Sequence, residues 1–185
     1  MRFLSAFALL SSTLFLTACG GGDQNVRLQN AEPATTDAIQ TITIARVTDI
    51  QSGPHISQAA LNECELQTQF PELLTQKAAE KGITVQTTTD FDQTEKGYQL
   101  AARYDQIISE GNPFIGHRKF TQIHLTLYKD GDKLAEADLG RHSGGGMFAG
   151  YKSSCSVLGR TVEANAEDAT LWLQTPVDKA RMGNL

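Results

Sequence analysis

Gln122-Ile123-His124-Leu125-Thr126-Leu127-Tyr128-Lys129-Asp130-Gly131-Asp132-Lys133-Leu134-Ala135-Glu136-Ala137-Asp138-Leu139 is the most sharply patterned run of the chain. Ile123, Leu125 and Leu127 alternate with Gln122, His124 and Thr126, while Ala135, Ala137 and Leu139 alternate with Glu136 and Asp138. Each half is therefore a strand with one apolar and one polar face, and the charged segment between them is a turn. A two-residue Asp130-Gly131 turn sets Leu125 opposite Glu136. A three-residue loop at 130–132 sets Leu125 against Ala137, Leu127 against Ala135 and Ile123 against Leu139. Because a one-residue slip carries a whole face from core to water, burial selects the longer loop. This register places His124 opposite Asp138 on the polar face, where a solvated cross-strand pair contributes about a few tenths of a kcal/mol.

Working outward, Thr41-Ile42-Thr43-Ile44 alternates and predicts a strand over 40–48, ended by Gly53-Pro54. Leu66, Phe70, Leu73, Leu74 and Ala78 fall at helical spacing before Gly82. Proline suits a first helical turn and is costly inside, so the helix is expected to begin at Pro71, with 62–70 extended or in a separate turn. Ile83 and Val85 open a second strand, Asp90 to Gly97 forms a polar turn, and Tyr98, Leu100, Ala102 and Tyr104 line a third. Leu158, Val162, Ala166, Ala169 and Leu173 stripe a last helix over 153–175, with Ser153 or Ser154 as cap and Pro176 after its end. The order β-α-β-β-β-β-α predicts an α+β fold: an antiparallel sheet of four to five strands, two helices on one face, and a polar opposite face. This single domain spans 39–176, followed by a tail at 177–185.

The whole chain has 185 residues, 40% of them hydrophobic, with 16 basic against 21 acidic side chains and a formal net charge of −5. That is one small domain, too polar for several membrane spans. Without a concentrated basic patch it has no nucleic-acid surface. Arg2 followed by an apolar stretch from Phe3 to Leu16 is an export leader, shorter than the roughly 20 residues of a spanning helix. Leu16-Thr17-Ala18-Cys19 resembles a bacterial lipobox. The resemblance implies cleavage after residue 18 and lipid on Cys19; the rival reading is an ordinary signal peptide with a stray cysteine. Acyl chains contribute about 0.8 kcal/mol per buried methylene, so a doubly or triply acylated residue anchors the protein without spanning the bilayer. Residues 19–38, rich in Gly, Asp, Gln, Asn, Pro and Thr, are expected to be a tether. Gly20 in place of an inner-membrane retention Asp points to the outer membrane, with the domain facing the periplasm. With Cys19 acylated, Cys64 and Cys155 remain, and two thiols exported to an oxidising space normally pair; two separate buried thiols are the alternative.

Between the hairpin and the last helix stands Arg141-His142-Ser143-Gly144-Gly145-Gly146-Met147-Phe148-Ala149-Gly150-Tyr151-Lys152-Ser153-Ser154-Cys155, followed by Asp168 and Trp172-Leu173 before Pro176. This resembles a family of small exported proteobacterial proteins and lipoproteins of unknown function. They share a Gly-rich loop with a Gly-Tyr-Lys step, a Cys at the start of the final helix and a closing Trp-Leu. Cys64-Glu65-Leu66 to Phe70-Pro71-Glu72-Leu73 is similar to their first cysteine block, and the match covers most of 62–176. The chain departs from that pattern at Thr161 and Asn165, where a more apolar or cysteine-containing helix face is expected. The resemblance implies fold and compartment and carries no reaction.

The loop has three readings. Gly144, Gly145 and Gly146 let the backbone turn sharply, with Met147, Phe148 and Tyr151 plugging the core edge. Alternatively Phe148 and Tyr151 form an exposed patch for a partner. As a third reading, the glycine amides and Lys152 at a helix N-terminus hold a small anion. It is not a nucleotide loop, since its lysine is displaced by one residue and a hairpin precedes it. His55, His117, His124 and His142 lack metal-ligand spacing, so no metal or other cofactor is expected, and no catalytic residue is assigned. The expected function is a lipid-anchored, non-enzymatic envelope binding or accessory module, its partners the membrane and another envelope protein. The alternative is a hydrolase or small-anion-binding protein that uses the loop with His142 and Lys152.

Overall fold

The computed structural model describes residues 32–35, 37–112, 116–145 and 153–185. In chain order they form β1 (Thr41–Ala45), β2 (Asp49–Ile50), α1 (Gln58–Cys64), α2 (Leu66–Ala79), β3 (Thr84–Thr88), β4 (Tyr98–Asn112), β5 (Gly116–Lys129), β6 (Asp132–Gly145), α3 (Ser154–Gln174) and β7 (Ala180–Gly183). One seven-stranded sheet runs β3-β1-β4-β5-β6-β7, with β2 beside β4. The fold is α+β as expected, and its sheet is mixed. β4, β5 and β6 are antiparallel neighbours, whereas β1 pairs in parallel with β3 and β4, and β7 with β6.

The expected antiparallel sheet of four to five strands is therefore corrected at both flanks, for one reason. A helix between two strands returns the chain to the end of the sheet from which it started, so the next strand lies parallel. The α1–α2 pair does this between β1 and β3, and α3 does it between β6 and β7. Asp90 to Gly97 is accordingly no hairpin turn: it carries the chain from β3 past β1, since Ile42 is the partner of both Val85 and Tyr98. The expected tail contains β7, whose Ala180 and Met182 are buried beside Ala137 and Leu139. At the other end, the Ala34 N–H donates to the Pro176 carbonyl at 2.7 Å, so the part of the expected 19–38 tether around Ala34 is docked on the domain.

The hairpin keeps its core register by a different device. Ile123 pairs with Leu139, Leu125 with Ala137 and Leu127 with Ala135, yet Tyr128 pairs with Lys133 and Lys129 with Asp132. The turn is the two-residue Asp130-Gly131, with φ of 53° and 92° that suit a tight hairpin. A bulge in β6 at Leu134 then absorbs the extra residue and restores the face.

All three helices lie together on one face of the sheet, where they share a single core with its apolar side chains. Helix α2 begins at Leu66, not Pro71. Pro71 cannot donate to the Gln67 carbonyl, and the Thr48 N–H does so instead at 2.9 Å, so the proline costs the helix no satisfied acceptor. Glu65, at φ 49°, makes the left-handed corner between α1 and α2. On α3, Thr161 and Asn165 are buried because they bond to β5. The Thr161 and Thr121 hydroxyls lie 2.8 Å apart, and Asn165 Nδ2 donates to the Thr121 Oγ1 and carbonyl. One turn on, Asp168 accepts from Arg141 Nε and Nη2 at 2.7 and 2.5 Å. Trp172, fully buried, donates its indole N–H to the Val177 carbonyl at 2.9 Å.

Cys64 at the end of α1 and Cys155 in the first turn of α3 form a disulfide across 91 residues, with Cα atoms 4.9 Å apart. Replacing both cysteines with Ser is expected to lower unfolding free energy in urea by about 3–5 kcal/mol, the range for closing a loop of this length. A loss under about 1 kcal/mol would overturn that. Gly183, at φ 83°, has the Gly140 carbonyl oxygen 2.1 Å from where a Cβ would sit. Gly183→Ala is therefore expected to cost about 1 kcal/mol or more and to loosen β7 in hydrogen exchange.

Candidate functional site

The helices cover one face of the sheet, and side chains of β4, β5 and β6 that alternate away from them meet solvent on the other. At the centre of this outer face His124 pairs across strands with Arg103 on β4 and with Asp138 on β6. Its Nδ1 lies 2.9 Å from Asp138 Oδ1, and its Nε2 lies 3.4 Å from the Thr126 hydroxyl. The third acidic or basic neighbour comes from an irregularity. Tyr104 pairs with Ile123 and Gln106 with Gln122, leaving Asp105 as the extra residue of a β-bulge. Asp105 and Gln106 are both partly exposed, while Tyr104 and Ile107 on either side are buried. Arg103 Nε donates to Asp105 Oδ1 at 2.8 Å. Hydrogen bonding to Asp105 is the leading reason the guanidinium is held above its ordinary pKa.

Toward the hairpin turn, Lys133 forms an ion pair with Glu136. That hydrogen bond raises the Lys133 ammonium and lowers the Glu136 carboxyl. Toward the other end, Phe120 and His142 stack with centroids 4.3 Å apart, and Leu185 lies over Gly140, where any Cβ would meet it at 2.4 Å. Burial first, and Arg118 second, hold the His142 imidazole below its usual range. His142 thus sits on the outer face against an aromatic ring. Lys152, its expected partner, lies outside the described residues, as do Gly146, Phe148, Tyr151 and the lipidation residue Cys19. Gly144 and Gly145 extend β6 and pair with Arg118 and His117.

His124 and Asp138 were legible as a cross-strand pair, because period-two alternation fixes which residues meet. Asp105 was not. Its signal is a break in alternation: Leu100, Ala102 and Tyr104 are followed by Ile107 instead of residue 106. Two further groups on the helix side also escape sequence reasoning. Lys119, only 5% exposed, donates to the Ser109 hydroxyl at 2.8 Å. Ser109 lines a shallow cleft of about 250 Å³ together with Pro54, His55, Ser57 and Glu110. A second hollow of about 260 Å³ lies between α2 and α3, where Lys77 bridges Glu163 and Glu167 at 2.9 and 2.8 Å. Among the described residues, no helix is long and apolar enough to cross a membrane.

No known family model matches the sequence, nor does any curated protein sequence. Among solved structures, the chain is similar to PelC of Paraburkholderia phytofirmans, crystallised as a dodecamer. Identity is 8% over 75% of this chain and 93% of that one, with a TM-score of 0.44. A DUF330 protein of Xanthomonas campestris shares 10% identity over 78% of this chain and 90% of its own, TM-score 0.48. A minor lipoprotein of Acinetobacter baumannii shares 10% over 73% and 90%, TM-score 0.42. Further neighbours from Caulobacter crescentus and Neisseria meningitidis are likewise named as lipoproteins.

Burial holds the Lys119 ammonium below the usual lysine pKa. The unfolded chain therefore binds that proton more tightly, and the native state gains stability as pH rises through the depressed folded value toward the ordinary one. Lys119→Met is expected to raise the melting temperature at pH 7, with the gain shrinking as pH approaches 10. Thermal melts across this range check it, and a gain that grows with pH would refute the assignment.

Proposed function

We propose that this chain is a lipid-anchored envelope protein, held through Cys19 to the outer membrane and facing the periplasm, whose domain is a non-enzymatic binding or accessory module. The observation that supports this most directly is the outer sheet face. With every described helix packed on the opposite side, strands of up to 15 residues present Arg103, Asp105, His124, Glu136 and Asp138 in positions fixed by cross-strand pairing. Donors and acceptors held by a hydrogen-bonded sheet lose little freedom on contact, and their interleaved charges favour a partner of complementary pattern over a wrong one. The leader, the Leu16-Thr17-Ala18-Cys19 tetrad and the disulfide between Cys64 and Cys155 all fit an exported, oxidising compartment.

Two measurements test the two halves of this reading. Cys19→Ala is expected to move the protein from the membrane to the soluble fraction, and intact mass of the detergent-extracted wild type to show a diacylglyceryl addition on a chain lacking residues 1–18. An unmodified N-terminus overturns the anchoring. A photo-crosslinking residue at Gln122, on the outer face, is expected to capture an envelope protein in cells. The same residue at Leu171, 50% exposed on α3, is not. Equal labelling from both positions would reject the outer face as the contact surface.

A further inference from the structure

We propose that Asp105, His124 and Asp138 form a binding site for a divalent transition metal of the zinc class. One ligand atom from each residue lies within 4.8 Å of the other two. Zinc binds imidazole and carboxylate at about 2.0–2.2 Å, which separates neighbouring ligand atoms by about 3 to 3.5 Å. His124 Nδ1 and Asp138 Oδ1, at 2.9 Å, already stand close to that separation and need open only by a few tenths of an ångström. One imidazole with two carboxylates is a donor set for Zn²⁺ and its neighbours, since Ca²⁺ and Mg²⁺ take oxygen ligands in larger number.

The surroundings of the histidine match those of a ligand. With Nδ1 on the metal, Nε2 carries the proton and donates to the Thr126 hydroxyl, 3.4 Å away, fixing tautomer and ring as outer hydrogen bonds do for ligating histidines. All three ligands stand on strands of one sheet, His124 and Asp138 in direct register and Asp105 aimed by its bulge. Three protein ligands leave a fourth position for water or for a side chain of a bound protein. Arg103 is the resident competitor. Its guanidinium supplies positive charge to Asp105 in the metal-free protein, and its side chain, 45% exposed, is free to swing into solvent when an ion takes that role. The site stands independently of whether the outer face meets a partner.

The test is titration of Zn²⁺ alone into the full-length processed lipoprotein, tag-free in detergent, followed by calorimetry, with Co²⁺ absorption as a second probe of coordination. One equivalent per chain is expected to bind. Asp105→Asn and His124→Ala should each weaken binding about tenfold or more, and Arg103→Gln should tighten it. His142→Ala, outside the cluster, should leave it unchanged. Asp105→Asn keeps the size of the side chain at a partly exposed bulge, so it remains informative if His124→Ala folds poorly; circular dichroism reports folding for each variant. Absence of saturable one-to-one binding, or wild-type affinity in folded Asp105→Asn, overturns the proposal. Unchanged affinity in Arg103→Gln overturns the competitor role.

Discussion

From Lys119 to Leu127 each side chain of β5 points either at the helices or away from them, and this two-residue period is the constraint to which the rest of the molecule conforms. Ile123, Leu125 and Leu127 are completely buried, while Gln122, His124 and Thr126 between them face outward. Because β5 is the middle strand of the antiparallel triplet, its alternation is imposed on both neighbours through the ladder hydrogen bonds. β4 and β6 each carry one residue too many to follow it throughout. Bulges at Asp105 and Leu134 absorb the excess, so that Ile107 and Ala135 still reach the core. The place of Asp105 beside the His124–Asp138 pair is a by-product of the first of these repairs.

The same face of the sheet explains why residues that break helical rules persist in α2 and α3. Pro71 removes a donor from the interior of α2, and the chain segment leading from β1 supplies one through Thr48. Gln67 Nε2 returns a bond to the Thr48 carbonyl at 3.2 Å, clamping the two segments together. Thr161 and Asn165 would be costly on an apolar helix stripe, since a buried polar group without a partner forfeits roughly 1–3 kcal/mol. Thr121 on β5 meets the Thr161 hydroxyl and the Asn165 Nδ2, while the Asn165 Oδ1 has no partner among the described residues. Arg141 similarly answers Asp168, with two charge-assisted bonds of matched geometry. These polar contacts fix where α3 sits along the sheet, because unlike methyl groups they cannot be satisfied one turn away.

The helices gather on one side of the sheet, and the disulfide joins α1 to α3 within that covered layer. The uncovered side is the one that carries interleaved acid, base and imidazole.

What the amino-acid order determined by itself was a set of features that depend on near neighbours: the apolar stretch before Cys19, the alternation of 122–139, the helical stripes around Leu74 and Val162, and the facing of His124 and Asp138. Period and composition are local, and they survive any arrangement of the other elements. The tertiary structure decided what depends on residues far apart in the chain. It set β1 and β7 parallel to their neighbours, placed β7 within the expected 177–185 tail, found Thr48 for the helix that contains Pro71, and brought Asp105 beside His124. Alternation states which residues share a face; it does not state which strand lies next or where an extra residue is absorbed, because those are settled only when distant segments compete for the same hydrogen bonds and the same buried volume.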